Sequence, residues 1–113
     1  MKKQKICVIG DGLAGLMTAL VLSKSDIQID LIFKNKKVKK IKDSRTTAIS
    51  ESNYLFLSRF FKNSDLKIFN SCKNIDLYNE KSGQYQHFMN FNEQGKNLLH
   101  MVENKKLKNI ILK

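Results

Sequence analysis

"KICVIGDGLAGLMTALVLSKSDIQIDLIFKN", Lys5 to Asn35, decides the fold. Its first part, Ile6 to Ile9, is a short, largely β-branched run closed by Gly10, which predicts a buried strand with Cys7 as a small core residue. Leu13 to Ser23 carries good helix formers and no charge, and predicts a helix buried on most faces. Ser25-Asp26 supplies a turn. Ile27 to Phe33, "IQIDLIF", alternates and then becomes apolar, which predicts a second strand. Strand, helix and strand within about 30 residues make a βαβ unit, whose crossover sets the strands parallel and the connection right-handed.

Between the first strand and the helix lies "GDGLAG", in which Gly10, Gly12 and Gly15 have the spacing G-x-G-x-x-G. The pattern is informative because it follows a strand and opens a helix. Gly10 permits the tight turn, Gly12 lets a pyrophosphate approach the backbone, and Gly15 lets helix and strand pack closely. Ala19, four residues on, keeps the same helix face small. The free N–H groups of the helix start would then bind phosphate without a basic side chain. The competing reading makes the glycines turn and packing residues only. Dinucleotide folds also place Asp or Glu about 20 residues on, at the end of the second strand, to hold ribose hydroxyls. Here Phe33 occupies that place. Asp30 stands three residues too early, Asn35 offers a weaker hydrogen bond, and Lys34, Lys36 and Lys37 could instead meet a 2′-phosphate.

Outward from this unit, "KNKKVKKIK" (Lys34–Lys42) reads as a lysine-rich loop. Ser44 or Thr46 could cap a helix carrying Ala48, Ile49, Leu55, Phe56, Leu57 and Phe60. "SDLKIFNSC" reads as one or two further helical turns. "KNIDLYNE" and "QYQHFMNF" read as antiparallel strands joined at Lys81-Ser82-Gly83. "HMVENKKLKNIILK" reads as a short entry followed by a helix with Leu107, Ile110 and Ile111 on one face. The fold class is therefore α/β: a parallel βαβ start, a β-hairpin insertion and a C-terminal helix.

The 113 residues suffice for one small domain, and 42% hydrophobic with 27% charged residues is a globular composition. The net charge of +11 is nearly all lysine, with Arg45 and Arg59 the only arginines. Without a basic stripe interleaved with aromatics, that charge reads as a solvated surface, and no nucleic-acid partner is expected. Cys7 and Cys72 lie far apart, and His87 and His100 are isolated, so neither a disulfide framework nor a metal site is expected. "MKKQK" before an apolar run imitates a leader, but Asp11 and three glycines break the run, so neither secretion nor a membrane span is expected.

Three stretches in order carry a family resemblance: the βαβ unit, "DSRTTAIS" (Asp43–Ser50) and "HMVENKKL" (His100–Leu107). They resemble the FAD-dependent aromatic hydroxylases of ubiquinone biosynthesis, among the para-hydroxybenzoate-hydroxylase-like flavin monooxygenases. The resemblance runs from about Lys5 to Lys113. It implies an incomplete Rossmann-type FAD-binding domain, residues 1–113 being its N-terminal part, with the rest of the domain and the substrate region absent. It implies that Gly10, Asp11, Gly12, Leu13, Ala14 and Gly15 hold the FAD pyrophosphate, and that Arg45 reaches the cofactor with Asp43 orienting it. Thr46, Thr47 and Ser50 read as cap and helix-surface residues rather than ligands, while Glu103 and Asn104 match the second segment, the alternative being that at a helix start they are simply capping groups.

The implied activity is hydroxylation of a polyprenylated phenol with NAD(P)H as electron donor, and these residues show no catalytic base. The piece alone is expected to be inactive. It is expected to be cytoplasmic, with peripheral contact to the inner membrane or a biosynthetic complex. The alternatives are a fragment of another Rossmann-type FAD/NAD(P) oxidoreductase, or a non-catalytic nucleotide-sensing module.

Overall fold

The computed structural model describes residues 2–34 and 43–112. It opens with β1 (Gln4–Ile9), α1 (Leu13–Ser23) and β2 (Ile27–Ile32), the expected βαβ unit. The strands pair in parallel, from Gln4 opposite Ile27 to Ile9 opposite Ile32. The lysine-rich stretch 35–42, with Asn35, Lys36 and Lys37, lies outside the described residues.

The burial expected of this unit is corrected. β1 and β2 form a two-stranded sheet, and α1 packs on it from one side. Ile6, Val8, Ile29 and Leu31 are half-buried, whereas the alternate residues Cys7, Ile9, Asp30 and Ile32 are exposed. Cys7 is thus an exposed thiol rather than a core residue. An apolar strand is buried on both faces only when something covers both. Likewise α1 is apolar all round, yet only Leu16 among its residues is fully buried.

The second correction concerns "TTAIS". It forms β3 (Thr46–Ser50) rather than the start of a helix, and α2 (Glu51–Ser58) follows. Neither Ser44 nor Thr46 caps α2; Ser50 does, its hydroxyl accepting from the Asn53 N–H at 3.3 Å. The β-branched Thr46, Thr47 and Ile49 suit a strand, and a partner far along the chain decides the matter. A short 3-10 turn (Asp65–Ile68) then leads into β4 (Asn70–Cys72), β5 (Asn74–Lys81), β6 (Gln84–Asn92), β7 (Leu99–Glu103) and α3 (Asn104–Ile111).

β7, expected only as a short entry, is the centre of a three-stranded antiparallel sheet with the order β3-β7-β4. Thr46 faces Glu103 and Ser50 faces Leu99, while Asn70 faces Met101 across the other edge. The core forms where α1, β7 and α3 meet. Leu16, Val102, Leu107 and Ile111 are buried there, with Leu13, Met17, Leu31, Ile49 and Phe69 packed around them. α1 thus touches the parallel pair on one side and α3 on the other.

β5 and β6 form the expected hairpin, with Lys81 facing Gln84 across a two-residue turn. Ser82 and Gly83 both have positive φ, 53° and 73°, as a type I′ turn requires. Nearly every residue of the ribbon is exposed, Ile75 being half-buried.

Candidate functional site

The glycine loop joins the C-terminal end of β1 to the N-terminus of α1. Gly10 has a φ of 113°, a conformation that side-chain-bearing residues rarely adopt. Its N–H donates to the Ile32 carbonyl at 2.8 Å, which fastens the loop to the end of β2. A Cβ at Gly15 would lie 2.4 Å from the Gly10 carbonyl oxygen, so only glycine lets α1 approach the loop this closely. A Cβ at Gly12 would meet nothing within 4 Å. The space over Gly12 is open.

Gly12 is the N-cap of α1, and no side chain caps the helix. The Gly12 carbonyl accepts the first intrahelical bond, from the Leu16 N–H at 3.0 Å. The N–H groups of Leu13, Ala14 and Gly15 therefore precede the helical ladder and have no partner within it. The first turn also lacks an acidic residue that would compete for them. Asp11 and Ala14 are exposed and Leu13 is half-buried against the core. An open approach over a glycine and a set of unpaired donors at the positive end of a helix suit the pyrophosphate of a dinucleotide. The residues present fit FAD at this point.

At the end of β2, Phe33 is 51% exposed. Asp30 faces Cys7 across the parallel pair, on the side of the sheet away from α1. It is not at the strand end.

Arg45 and Asp43 form a two-pronged pair. The guanidinium donates from Nε to Asp43 Oδ1 at 2.9 Å and from Nη2 to Oδ2 at 3.1 Å, and the Arg45 backbone N–H adds a bond to Oδ1 at 3.1 Å. The side-chain bonds, followed by the backbone bond, lower Asp43 from the ordinary 3.8 to about 2. The side-chain bonds to Asp43, and then its negative charge, raise Arg45. The Arg45 side chain is largely exposed, at 75%. Among the described residues no hydrogen bond joins it to the glycine loop.

The segments "DSRTTAIS" and "MVEN" lie side by side. The Asn104 N–H donates to the Arg45 carbonyl at 3.0 Å, and Thr47 Oγ1 donates to Asn104 Oδ1 at 2.5 Å. This corrects the capping roles. Asn104 is the first residue of α3 and buried, its side chain turned across to β3. Glu103 is the N-cap but its side chain makes no capping bond, pairing instead with Lys106 at 2.7 Å. Thr47 is a strand residue serving this junction.

His100, read in isolation from sequence, proves to be tightly held. It is 5% exposed, its Nε2 lies 2.5 Å from Glu51 Oε2, and its ring stacks on Tyr54 at 3.7 Å. This cluster ties α2 to the central strand β7. Its members lie 49 residues apart, and no local pattern announces them. On the hairpin, Asp76 accepts from Asn90 at 2.7 Å and lies 2.9 Å from His87 Nε2. The Asn90 bond, then the His87 bond, lower the Asp76 carboxyl. Among the described residues no group of three or more His, Cys, Asp or Glu side chains could hold a metal ion. No helix there is long and apolar enough to cross a membrane.

No protein-family model matches the chain, and no curated protein matches it. Solved structures do. HpxO of Klebsiella pneumoniae, complexed with FAD and uric acid, superposes with a TM-score of 0.65 at 21% identity, over 96% of this chain and 28% of that one. A protein of Photorhabdus luminescens subsp. laumondii TTO1, described as an FAD-containing monooxygenase, gives a TM-score of 0.69 at 16% identity, over 98% of this chain and 28% of that one. At such identities the likeness is one of fold. The chain shares its fold with part of these two structures, and spans little more than a quarter of the length of each.

Proposed function

We propose that this chain is the N-terminal, FAD-binding portion of a flavin-dependent aromatic monooxygenase. The observation that carries the proposal is the glycine loop: an open approach over Gly12, an uncapped helix start, and a Gly10–Gly15 contact that only glycine permits. The fold shared with FAD-containing monooxygenases supports FAD among the dinucleotides.

Gly12 admits the pyrophosphate to the backbone, and the N–H groups of Leu13, Ala14 and Gly15 donate to its oxygens. Gly10 holds the loop to β2, while Asp11 stands in the loop without contributing a donor side chain. Arg45, presented beside the start of α3 and aligned by Asp43, supplies a guanidinium for phosphate or ribityl oxygens of the cofactor. FAD, when bound, supplies the redox chemistry by which an aromatic ring is hydroxylated at the expense of NAD(P)H and dioxygen.

The substrate proposed is a polyprenylated phenol of ubiquinone biosynthesis, on the strength of "DSRTTAIS" and "MVEN" in this order. A membrane-dissolved substrate of that kind would bring a cytoplasmic protein to the inner membrane surface, where its lysines favour anionic lipids. The chain covers 28% of each of the two FAD-containing structures on which it superposes, and residues 1–113 are proposed to bind cofactor without hydroxylating by themselves.

The test is a titration of the purified chain with FAD, followed by flavin fluorescence, with NAD and NADP as controls. Selective FAD binding that is abolished in Gly12→Val and weakened in Arg45→Ala supports the proposal. A folded chain that binds no FAD overturns it, and one that prefers NAD returns the reading to a nucleotide-sensing module.

A further inference from the structure

We propose that this site holds the adenosine of its dinucleotide by contact with the Phe33 ring and does not read the ribose 2′-hydroxyl. The inference rests on the glycine-loop reading above and deepens it. Three observations carry it.

First, Phe33 is placed where the adenosine half must pass. The Gly10 N–H donates to the carbonyl of Ile32, the residue before Phe33, so the end of β2 and the pyrophosphate loop are fastened together. A phosphate seated over Gly12 therefore has its 5′-linked nucleoside near this strand end. Second, the described end of β2 itself carries no carboxylate. The positions at and just beyond the end of β2 are Ile32, Phe33 and Lys34. Asp30 points off the opposite side of the sheet, level with Cys7. A ribose diol held by an acid gains charge-assisted hydrogen bonds, and without the acid those hydroxyls remain toward water. Third, Phe33 keeps half of its surface exposed, at 51%, and among the described residues no aromatic ring packs against it. A purine over that face removes apolar surface of both partners from water, and stacking of a base on an aromatic ring is indifferent to the 2′ position.

The site so built holds a dinucleotide through its base and pyrophosphate. It tolerates a missing 2′-hydroxyl, which a site with a carboxylate at this position would not.

The experiment uses the whole chain. FAD binding is followed by flavin fluorescence, and ADP and 2′-deoxy-ADP are then titrated as competitors. The two should displace FAD with constants within about threefold of each other, less than the loss of one charge-assisted hydrogen bond brings. Phe33→Ala should weaken both competitors alike, by about fivefold or more. Phe33→Glu should open a preference for ADP of about tenfold or more. A wild-type chain that already prefers ADP by tenfold overturns the proposal, as does an unchanged affinity in Phe33→Ala. The wild-type ratio needs no variant, so it decides even if a substitution at Phe33 prevents folding. Absence of FAD binding altogether, matching the Gly12→Val baseline, overturns the glycine-loop reading and this inference with it.

Discussion

Alanine at Gly15 and alanine at Gly12 should damage different properties of the same loop. At Gly15 the added Cβ would stand 2.4 Å from the Gly10 carbonyl oxygen and 3.2 Å from its carbon. Both are backbone atoms, and Gly10 is itself held to Ile32 at 2.8 Å, so relief requires the loop or α1 to move. Overpacking of this kind destabilises by about 1–3 kcal/mol, and a rigid backbone partner puts it in the upper part of that range. Alanine's better helix propensity and lower unfolded-state entropy offset about 1 kcal/mol. The net expectation is a loss of about 1–2 kcal/mol, a sizeable share of the roughly 5–15 kcal/mol that holds a domain folded. At Gly12 the backbone sits at φ −67° and ψ 169°, open to any residue, and a Cβ meets nothing. Gly12→Ala should keep its stability within about 0.5 kcal/mol, alanine's poorer N-capping being offset by the lower entropy of its unfolded chain, while losing FAD affinity, because the methyl occupies the phosphate's approach. Urea unfolding followed by circular dichroism measures the first quantity, and flavin fluorescence the second. A Gly15→Ala chain as stable as the wild type would refute the close packing argued for α1. Unchanged FAD affinity in Gly12→Ala would refute the phosphate path.

Three other outcomes are expected. Leu107→Ala, at a buried apolar residue of the core, should cost about 2–5 kcal/mol in urea unfolding; a shift below 1 kcal/mol would mean that α3 does not close this core. Asp43 binds its proton less readily when folded, at about 2 against 3.8, so the unfolded chain binds more protons in that window. Its contribution is present above 3.8 and fades as pH falls toward 2. Asp43→Asn should flatten this part of the acid-stability profile, and added salt should do the same to the wild type. Gly83→Val forces a β-branched residue to φ 73°; it should destabilise the hairpin by about 1–2 kcal/mol, seen as faster hydrogen exchange of β5 and β6 amides.

What could be read from sequence was whatever is settled locally. The βαβ unit spans a short stretch, and its periodicities and glycine spacing are self-contained. The hairpin was legible because Ser82-Gly83 punctuates two strand-like runs. "TTAIS" misled because Ala48 and Ile49 fall at helical spacing with Leu55 and Phe56, whereas β7 decides its state through Thr46–Glu103 pairing. Ser50, three residues before Asn53, was the available signal that the helix starts later. Cys7 and α1 were expected to be buried because they are apolar, but burial also needs neighbours, and among the described residues the sheet face with Cys7, Ile9 and Ile32 stays exposed. Of the candidate site, the glycines and the Asp43–Arg45 pair were legible. The roles of Thr47 and Asn104, and the Glu51–Tyr54–His100 cluster, depend on long-range packing and were not.

The bond from Thr47 to Asn104 spans 57 residues of chain, and this bears on the order in which the molecule assembles. β1, α1 and β2 can close on themselves soon after Ile32 has emerged from a ribosome, since the segments they join are short. The strand that follows Arg45 has no partner until β7 has been made, and a loop of that length must be closed before any contact rewards it. The glycine cradle is therefore an early product of synthesis. The platform beneath Arg45 is a late one, and in the interval Thr46–Ser50 is a bare strand edge of the kind that chaperones hold and aggregates recruit.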